Sequence, residues 1–315
     1  SGITRQDINY YKELFENKLY KTPANAKSFI ATFHYFFGRC FYYFILNDYS
    51  KAYKEVYEAV KLFEKNPHQI PEYPALYAVA LFNLSTCQSK MGMNKEALKQ
   101  IELVKNICAE YPETPINIYS LAASNEIGIL TKIGEFKKAT ELVPSLMSIV
   151  DKKLESKAIE IFLYHTIAQA YFGAEMYSEA KKWINKILNE TSELREDLYC
   201  VEKILNLIVH YELGNNDLLE YLVKSSFRFL YKKKRLLAFE NLILKFMQLK
   251  VPKFSSEKET QLAFIELKKD LENLFKKQPE DKHLLGYFDF VSWINSKIER
   301  VSFAQIIKSK YNKKN

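Results

Sequence analysis

The side chains able to do chemistry in this 315-residue chain are plentiful but dispersed. Its five histidines, His34, His68, His165, His210 and His283, stand far apart and unpaired in sequence. The four cysteines, Cys40, Cys87, Cys108 and Cys200, form no Cys-x-x-Cys pair and have no neighbouring His, so neither a zinc site nor a disulfide framework is indicated. Reduced thiols fit a cytoplasmic protein. There is no Gly-rich phosphate loop, no Gly-x-Ser-x-Gly elbow and no His-Glu-x-x-His helix. The sequence therefore predicts no catalytic residue, no metal and no cofactor, and a protein that is not an enzyme. That reading excludes known motifs only, because folding can bring distant groups together.

Two stretches carry binding chemistry instead. Residues 228–235, RFLYKKKR, concentrate Arg228, Lys232, Lys233, Lys234 and Arg235 in a chain of net charge +8, and Lys308, Lys310, Lys313 and Lys314 add a basic tail. Such a patch attracts phosphate backbones, acidic protein segments or membrane surfaces. It is equally what a solvated helix end looks like, since cations favour the unpaired carbonyls there. Residues 29–46, FIATFHYFFGRCFYYFIL, are mostly apolar and long enough to invite a membrane reading. His34 and Arg39 lie within them and an Asn-Asp turn follows at once, so no membrane span is expected and the stretch reads as one helix of a pair.

The elements that position these residues are clearest at Ile161–Thr191. Phe162, Ile167, Ala168 and Tyr171 recur at the helical period, Gly173 weakens the helix, and Ser178 is a candidate N-cap for the next. That second helix places Ala180, Ile184, Ile187 and Leu188 on one face and lysines away from it. Neither helix can bury its stripe alone. The same unit recurs, and Ala52, Ala97, Ala139 and Ala180 give its register at steps of 45, 42 and 41 residues. Pairs are expected at 29–67, 75–112, 116–151, 158–192 and 198–231, after an N-terminal capping region at 3–28. Pro144 should kink the second helix of the third pair. From 232 to 315 the pattern fades into capping helices, expected at 235–249, 257–277, 283–298 and 303–311. Ser1-Gly2 reads as a cleavage scar, so localisation cannot be taken from that end.

Tyr164, Ile167, Ala168, Tyr171, Ala180, Ile184 and Ile187 fall at the signature spacing of a tetratricopeptide repeat, and the unit resembles that family. The Gly-x-x-x-x-Ala turns at Gly92–Ala97 and Gly134–Ala139 match it too. Two departures stand out: Ser192 replaces the usual proline, and the steps exceed the roughly 34 residues of the standard unit. The segment YFDFVSWINSKIE resembles the C-terminal segments of bacterial repeat proteins. The resemblance implies an all-α fold, a right-handed α-α superhelix (solenoid) of stacked antiparallel helix pairs. It also implies that the first helix of each pair lines a concave groove. In this register the groove positions include His34, Phe37, Phe41 and Phe44, then Val79, Phe82, Thr86 and Ser89. Leu121, Ser124, Gly128 and Thr131 follow, then Phe162, His165, Gln169 and Phe172. Chaperone-type members grip a carboxylate with Lys, Arg and Asn there. Phe37 and Phe41 occupy the matching places, which rejects that mode.

The expected function is a non-enzymatic scaffold binding a protein segment or peptide among these aromatics. Two alternatives stay open: a nucleic-acid-binding helical repeat using residues 228–235 and the Lys tail, and a peptide-responsive regulator. The sequence leaves the oligomeric state open.

Overall fold

The fold is described from a computed structural model, covering residues 5–17, 20, 22–150, 156–190, 195–253 and 256–313. The expected limits at residues 3, 151 and 192, and Lys314 of the tail, lie outside these. Helices dominate, and no strand occurs among the described residues.

Helix α1 (Arg5–Glu16) is followed by a 3-10 turn at Pro23–Asn25, where the Thr22 side chain accepts from the Ala24 amide. Five helix pairs come next. They are α2 (Phe29–Ile45) with α3 (Tyr49–Lys65), α4 (Pro74–Lys90) with α5 (Asn94–Glu110), and α6 (Ile116–Lys132) with α7 (Phe136–Glu141) and α8 (Val143–Val150). Then come α9 (Lys157–Gly173) with α10 (Tyr177–Leu188), and α11 (Glu196–Glu212) with α12 (Asn216–Lys232). The third pair's second helix is interrupted at Leu142, just ahead of Pro144. Proline removes a backbone donor and crowds the preceding turn, so the helix restarts there.

One backbone device closes every pair. The second residue after each first helix takes a left-handed conformation: Asn47, Gly92, Gly134, Glu175 and Gly214, at φ 55, 88, 80, 61 and 70°. The next amide then reaches back to a carbonyl of the last turn, as in Asp48 N–H to Tyr43 O, Met93 to Gln88, Glu135 to Leu130, Met176 to Tyr171 and Asn215 to His210. This is a Schellman closure, which satisfies carbonyls the helix end would otherwise leave unpaired. Five residues later stand Ala52, Ala97, Ala139 and Ala180, all fully buried. In the fifth pair Leu219 holds that place, also buried, which is why the repeat looked degenerate in sequence. The N-cap expected at Ser178 is displaced: α10 already begins at Tyr177, with Met176 at the cap position.

The chain divides into two compact units, residues 1–129 and 130–315. The N-terminal core gathers Phe33, Val56, Phe63, Leu81, Leu84, Ile101 and Ile129. Cys40 and Cys87 are buried in it as free thiols. The neighbouring Cys87 thiol and burial both raise the Cys40 pKa, so its thiolate is disfavoured.

The C-terminal unit continues with α13 (Ala238–Leu249), α14 (Glu257–Lys277), α15 (Phe290–Glu299) and α16 (Phe303–Asn312). The helix expected over 283–298 is instead a 3-10 stretch, Pro279–Gly286, followed by a short link and α15. Phe288 in that link is buried in the core, and Asp289 caps α15 by accepting from the Ser292 amide at 3.1 Å. A continuous helix would place neither side chain there.

The left-handed positions make a paired test. A Cβ at Gly92 meets nothing within 4 Å, so Gly92→Ala isolates backbone strain. Chemical denaturation should show it less stable by about 1 kcal/mol, while Glu175→Gly, relieving the same strain, should gain a comparable amount.

Candidate functional site

In the N-terminal unit the expected groove residues of α2 form a continuous aromatic row. Phe37 stacks on buried Phe33 with centroids 5.1 Å apart, meets Phe41 edge-on at 4.9 Å, and Phe41 lies 6.4 Å from Phe44. The three- and four-residue spacing of a helix face brings these rings together. Burial grades along the row: Phe33 is fully buried, Phe37 and Phe44 are partly buried against the core, and Phe41 is 48% exposed. His34 is exposed at the row's start. On α4, Val79 and Phe82 are partly buried against the same core.

On α6 the named positions meet different surroundings. Ser124 is buried and donates to the Ser120 carbonyl, whereas Asn125 donates to Ser85 Oγ at 3.0 Å and Thr86 Oγ1 at 3.4 Å. Gly128 faces open space. The far side of α2 is covered by α1, whose Phe15 lies 5.1 Å from Tyr42 and 3.5 Å from the position of a Cβ on Gly38.

The C-terminal unit treats its groove positions differently. Phe172 is fully buried among Tyr177, Phe288 and Phe303, at 5.0–5.5 Å. The chain's own C-terminal segment therefore fills the place where an open groove was expected. Gly173 next to it is fixed by close approach: a Cβ would lie 2.1 Å from the Phe136 ring. His165 is also buried, with 3% exposure. Its Nδ1 bonds the Glu202 carboxylate, and its Nε2 lies 2.7 Å from the Gln169 amide nitrogen. With both ring nitrogens occupied, this histidine has none left for acid–base work on a ligand. Glu202 is completely buried on the apolar α11, and nothing in its local sequence marks it as the partner of a histidine 37 residues earlier.

Phe162 is half-buried beside the Arg195 guanidinium, 5.9 Å from its ring. Arg195 holds Asp197 in a two-pronged pair at 2.8 and 3.0 Å, and Tyr287 donates to the same carboxylate at 3.1 Å. Burial alone would raise the Asp197 pKa. The Arg195 pairing, the Leu198 amide and Tyr287 outweigh it and hold the carboxyl at about 2.

The basic run sits at the end of α12. Arg228 and Lys232 are exposed, Lys233 caps the helix 3.9 Å from Glu196, and Lys234 takes a left-handed conformation at φ 55° before exposed Arg235. Four of the five therefore lie in or just past the last turn, where helix-end carbonyls attract cations. Among the described residues no three His, Cys, Asp or Glu side chains gather as a metal site would need, and no helix is long and apolar enough to cross a membrane.

No family model and no curated protein matches this sequence. Solved structures do. A Rap protein complexed with competence and sporulation factor aligns over 99% of this chain and 82% of its own, at 13% identity and a TM-score of 0.56. The fold is a tetratricopeptide-like helical repeat. The Rap conjugation gene regulator of plasmid pLS20, in complex with the Phr* peptide, aligns over 90% of this chain and 76% of its own, at 12% identity and 0.51. A tetratricopeptide repeat protein from Parabacteroides merdae ATCC 43184 aligns over 88% of this chain and 97% of its own, at 16% identity and 0.49. At these identities the likeness is one of fold.

Two stability measurements follow from the buried polar groups. Glu202→Ala leaves His165 Nδ1 unpaired in the core and should cost about 3 kcal/mol in urea unfolding, a larger loss than Glu202→Gln. Asp197 sits below its unfolded value of about 3.9, so its contribution is present above that pH and is lost as pH falls through about 2. Its side chain is 37% exposed, so screening limits the effect to on the order of 1 kcal/mol. Asp197→Asn should remove that slice of acid sensitivity in a pH titration of stability.

Proposed function

We propose that this protein is a non-enzymatic scaffold that binds a peptide or protein segment on the aromatic face of its N-terminal unit. The observation that carries the reading is the row Phe37, Phe41 and Phe44, with Phe41 half-exposed at its centre and Phe82 on the neighbouring first helix. Exposed aromatics on a rigid helix lose little side-chain entropy on binding and desolvate a large apolar area. The row carries no Lys or Arg, so it suits apolar side chains rather than a carboxylate terminus. Of the groove positions named from sequence, Phe162 and Gln169 retain partial exposure, whereas His165 and Phe172 are spent on the interior. The binding face is therefore assigned to His34, Phe37, Phe41, Phe44 and Phe82.

A second reading has its own support. The pLS20 Rap structure is a gene regulator holding a peptide on a similar fold, so a peptide that alters this protein's shape fits the same surface. Small-angle scattering with and without the selected peptide separates the two. A changed radius of gyration makes the protein a peptide-responsive regulator, and an unchanged one leaves a scaffold.

The test of the site is selection from a displayed peptide library. The wild type should enrich sequences with aromatic or branched apolar residues at helical or alternating spacing. Phe37→Ala with Phe41→Ala should weaken the selected peptides by about 30-fold or more, the loss of at least one aromatic hot spot, with helicity by circular dichroism unchanged. No enrichment by wild type, or equal binding by the folded variant, would sink the assignment.

A further inference from the structure

The C-terminal unit carries a second surface that the peptide reading does not use. Val223, Lys224, Phe227 and Arg228 recur one turn apart on α12, and Asn241, Leu244, Lys245 and Gln248 recur likewise on α13. The two faces enclose a cleft of about 580 Å³. Sites for small organic ligands span roughly 300–1,000 Å³, so a peptide helix is too large for it and a bare ion too small.

Its lining is sharply sorted. Val223 and Leu244 are buried and form an apolar floor. Phe227 stands beside them, 43% exposed, its ring stacked on Tyr231 at 6.1 Å and 11°. Every ionic side chain of the lining is a cation. Lys224 is paired with Glu220 at 2.6 Å, but among the described residues neither Arg228 nor Lys245 has a carboxylate within ion-pair distance. Arg228 spends only its Nε on a backbone carbonyl, that of Lys224 at 3.3 Å, which leaves its terminal nitrogens for another acceptor. Asn241 and Gln248 add amides that both donate and accept.

We propose that this cleft binds one nucleotide unit. Its base lies against Phe227 over the Val223–Leu244 floor, its polar edge meets Asn241 and Gln248, and its phosphate is held by Arg228 and Lys245. A simple inorganic anion would leave the ring and floor unused, and an apolar acyl chain would leave the two amides unpaired. Base stacking on an aromatic side chain and a planar guanidinium on phosphate are the pairing this sorted lining offers. The same unit of base and phosphate occurs in a free mononucleotide and in a single strand.

The experiment is a titration of the full chain with the four ribonucleoside 5′-monophosphates, with fluorescein-labelled eight-nucleotide RNA homopolymers, and with inorganic phosphate, at low salt. Phe227→Leu keeps an apolar side chain while removing the ring, and Lys245→Glu reverses an exposed charge. Both should fold as wild type, checked by circular dichroism and thermal unfolding. Binding of a mononucleotide that falls at least tenfold in each variant assigns the cleft to free nucleotides. Binding of RNA alone, lost in the same variants, assigns it to a strand. The proposal is overturned if neither ligand binds, if the folded variants bind like wild type, or if inorganic phosphate binds as well as the nucleotides. Phe37→Ala with Phe41→Ala should leave nucleotide binding intact, which separates this site from the peptide face.

Discussion

Everything in this fold depends on a single turn geometry repeated between helices. A left-handed residue after each first helix lets the following amide fold back onto the helix end, and it starts the second helix in a fixed direction. Because that direction is fixed, the fifth residue onward arrives at a buried place, which a small side chain fills in four of the five pairs. Ala52, Ala97, Ala139 and Ala180 follow from the turn. Where Leu219 takes the position, the crossing still closes, with a larger side chain filling it. Two of the five turns use Asn47 and Glu175 in a backbone region that costs a side-chain-bearing residue about 1–2 kcal/mol. The closure must therefore outweigh that strain, which argues that the hydrogen bond and the helix crossing it sets up, rather than glycine itself, are what the repeat requires.

The two units resolve the same problem differently. A first helix in such a stack has an inner face that its neighbours do not cover. In the C-terminal unit Phe288 and Phe303 cover it, so α9 and α11 are buried nearly all round. That makes their polar residues part of the interior. His165 finds Glu202 and Gln169, while Glu212 receives both the Trp293 indole at 2.6 Å and the Lys297 ammonium at 2.5 Å. The Glu212 contacts tie the C-terminal segment down at fixed points, since an unpaired buried charge would cost several kcal/mol. In the N-terminal unit the inner face of α2 ends in rings that stay partly open.

Much of this was legible in the sequence. Helix period and Gly and Pro placement made the all-α class legible, because those signals are local and the turn is stereochemically narrow. The aromatic row on α2 was legible too, since one helix face carries it. What the sequence hid was long-range. The period that marks Phe172 as groove-facing is the same whether that face meets solvent or Phe288, and 116 residues of chain separate those two rings. The 3-10 stretch before α15 was hidden for the same reason: its cause is the seating of Phe288 in a core built by α9.

An exposed aromatic is ambiguous when read alone, because soluble proteins carry many. Phe41 gains meaning from what surrounds it: its neighbours on the same face, Phe37 and Phe44, are half-buried, so the ring is held against a rigid support rather than projected into water. Tyr231, 70% exposed at the end of α12, is the useful contrast. It stacks only on Phe227 and stands among Lys232, Lys233 and Lys234, where a flat polar-edged ring is hydrated easily and cations keep apolar partners away. The same residue class thus presents two different chemistries, apolar and uncharged on α2, aromatic and cationic on α12. A partner that satisfies one would leave the other's charges or rings unmatched, so the two surfaces call for different ligands.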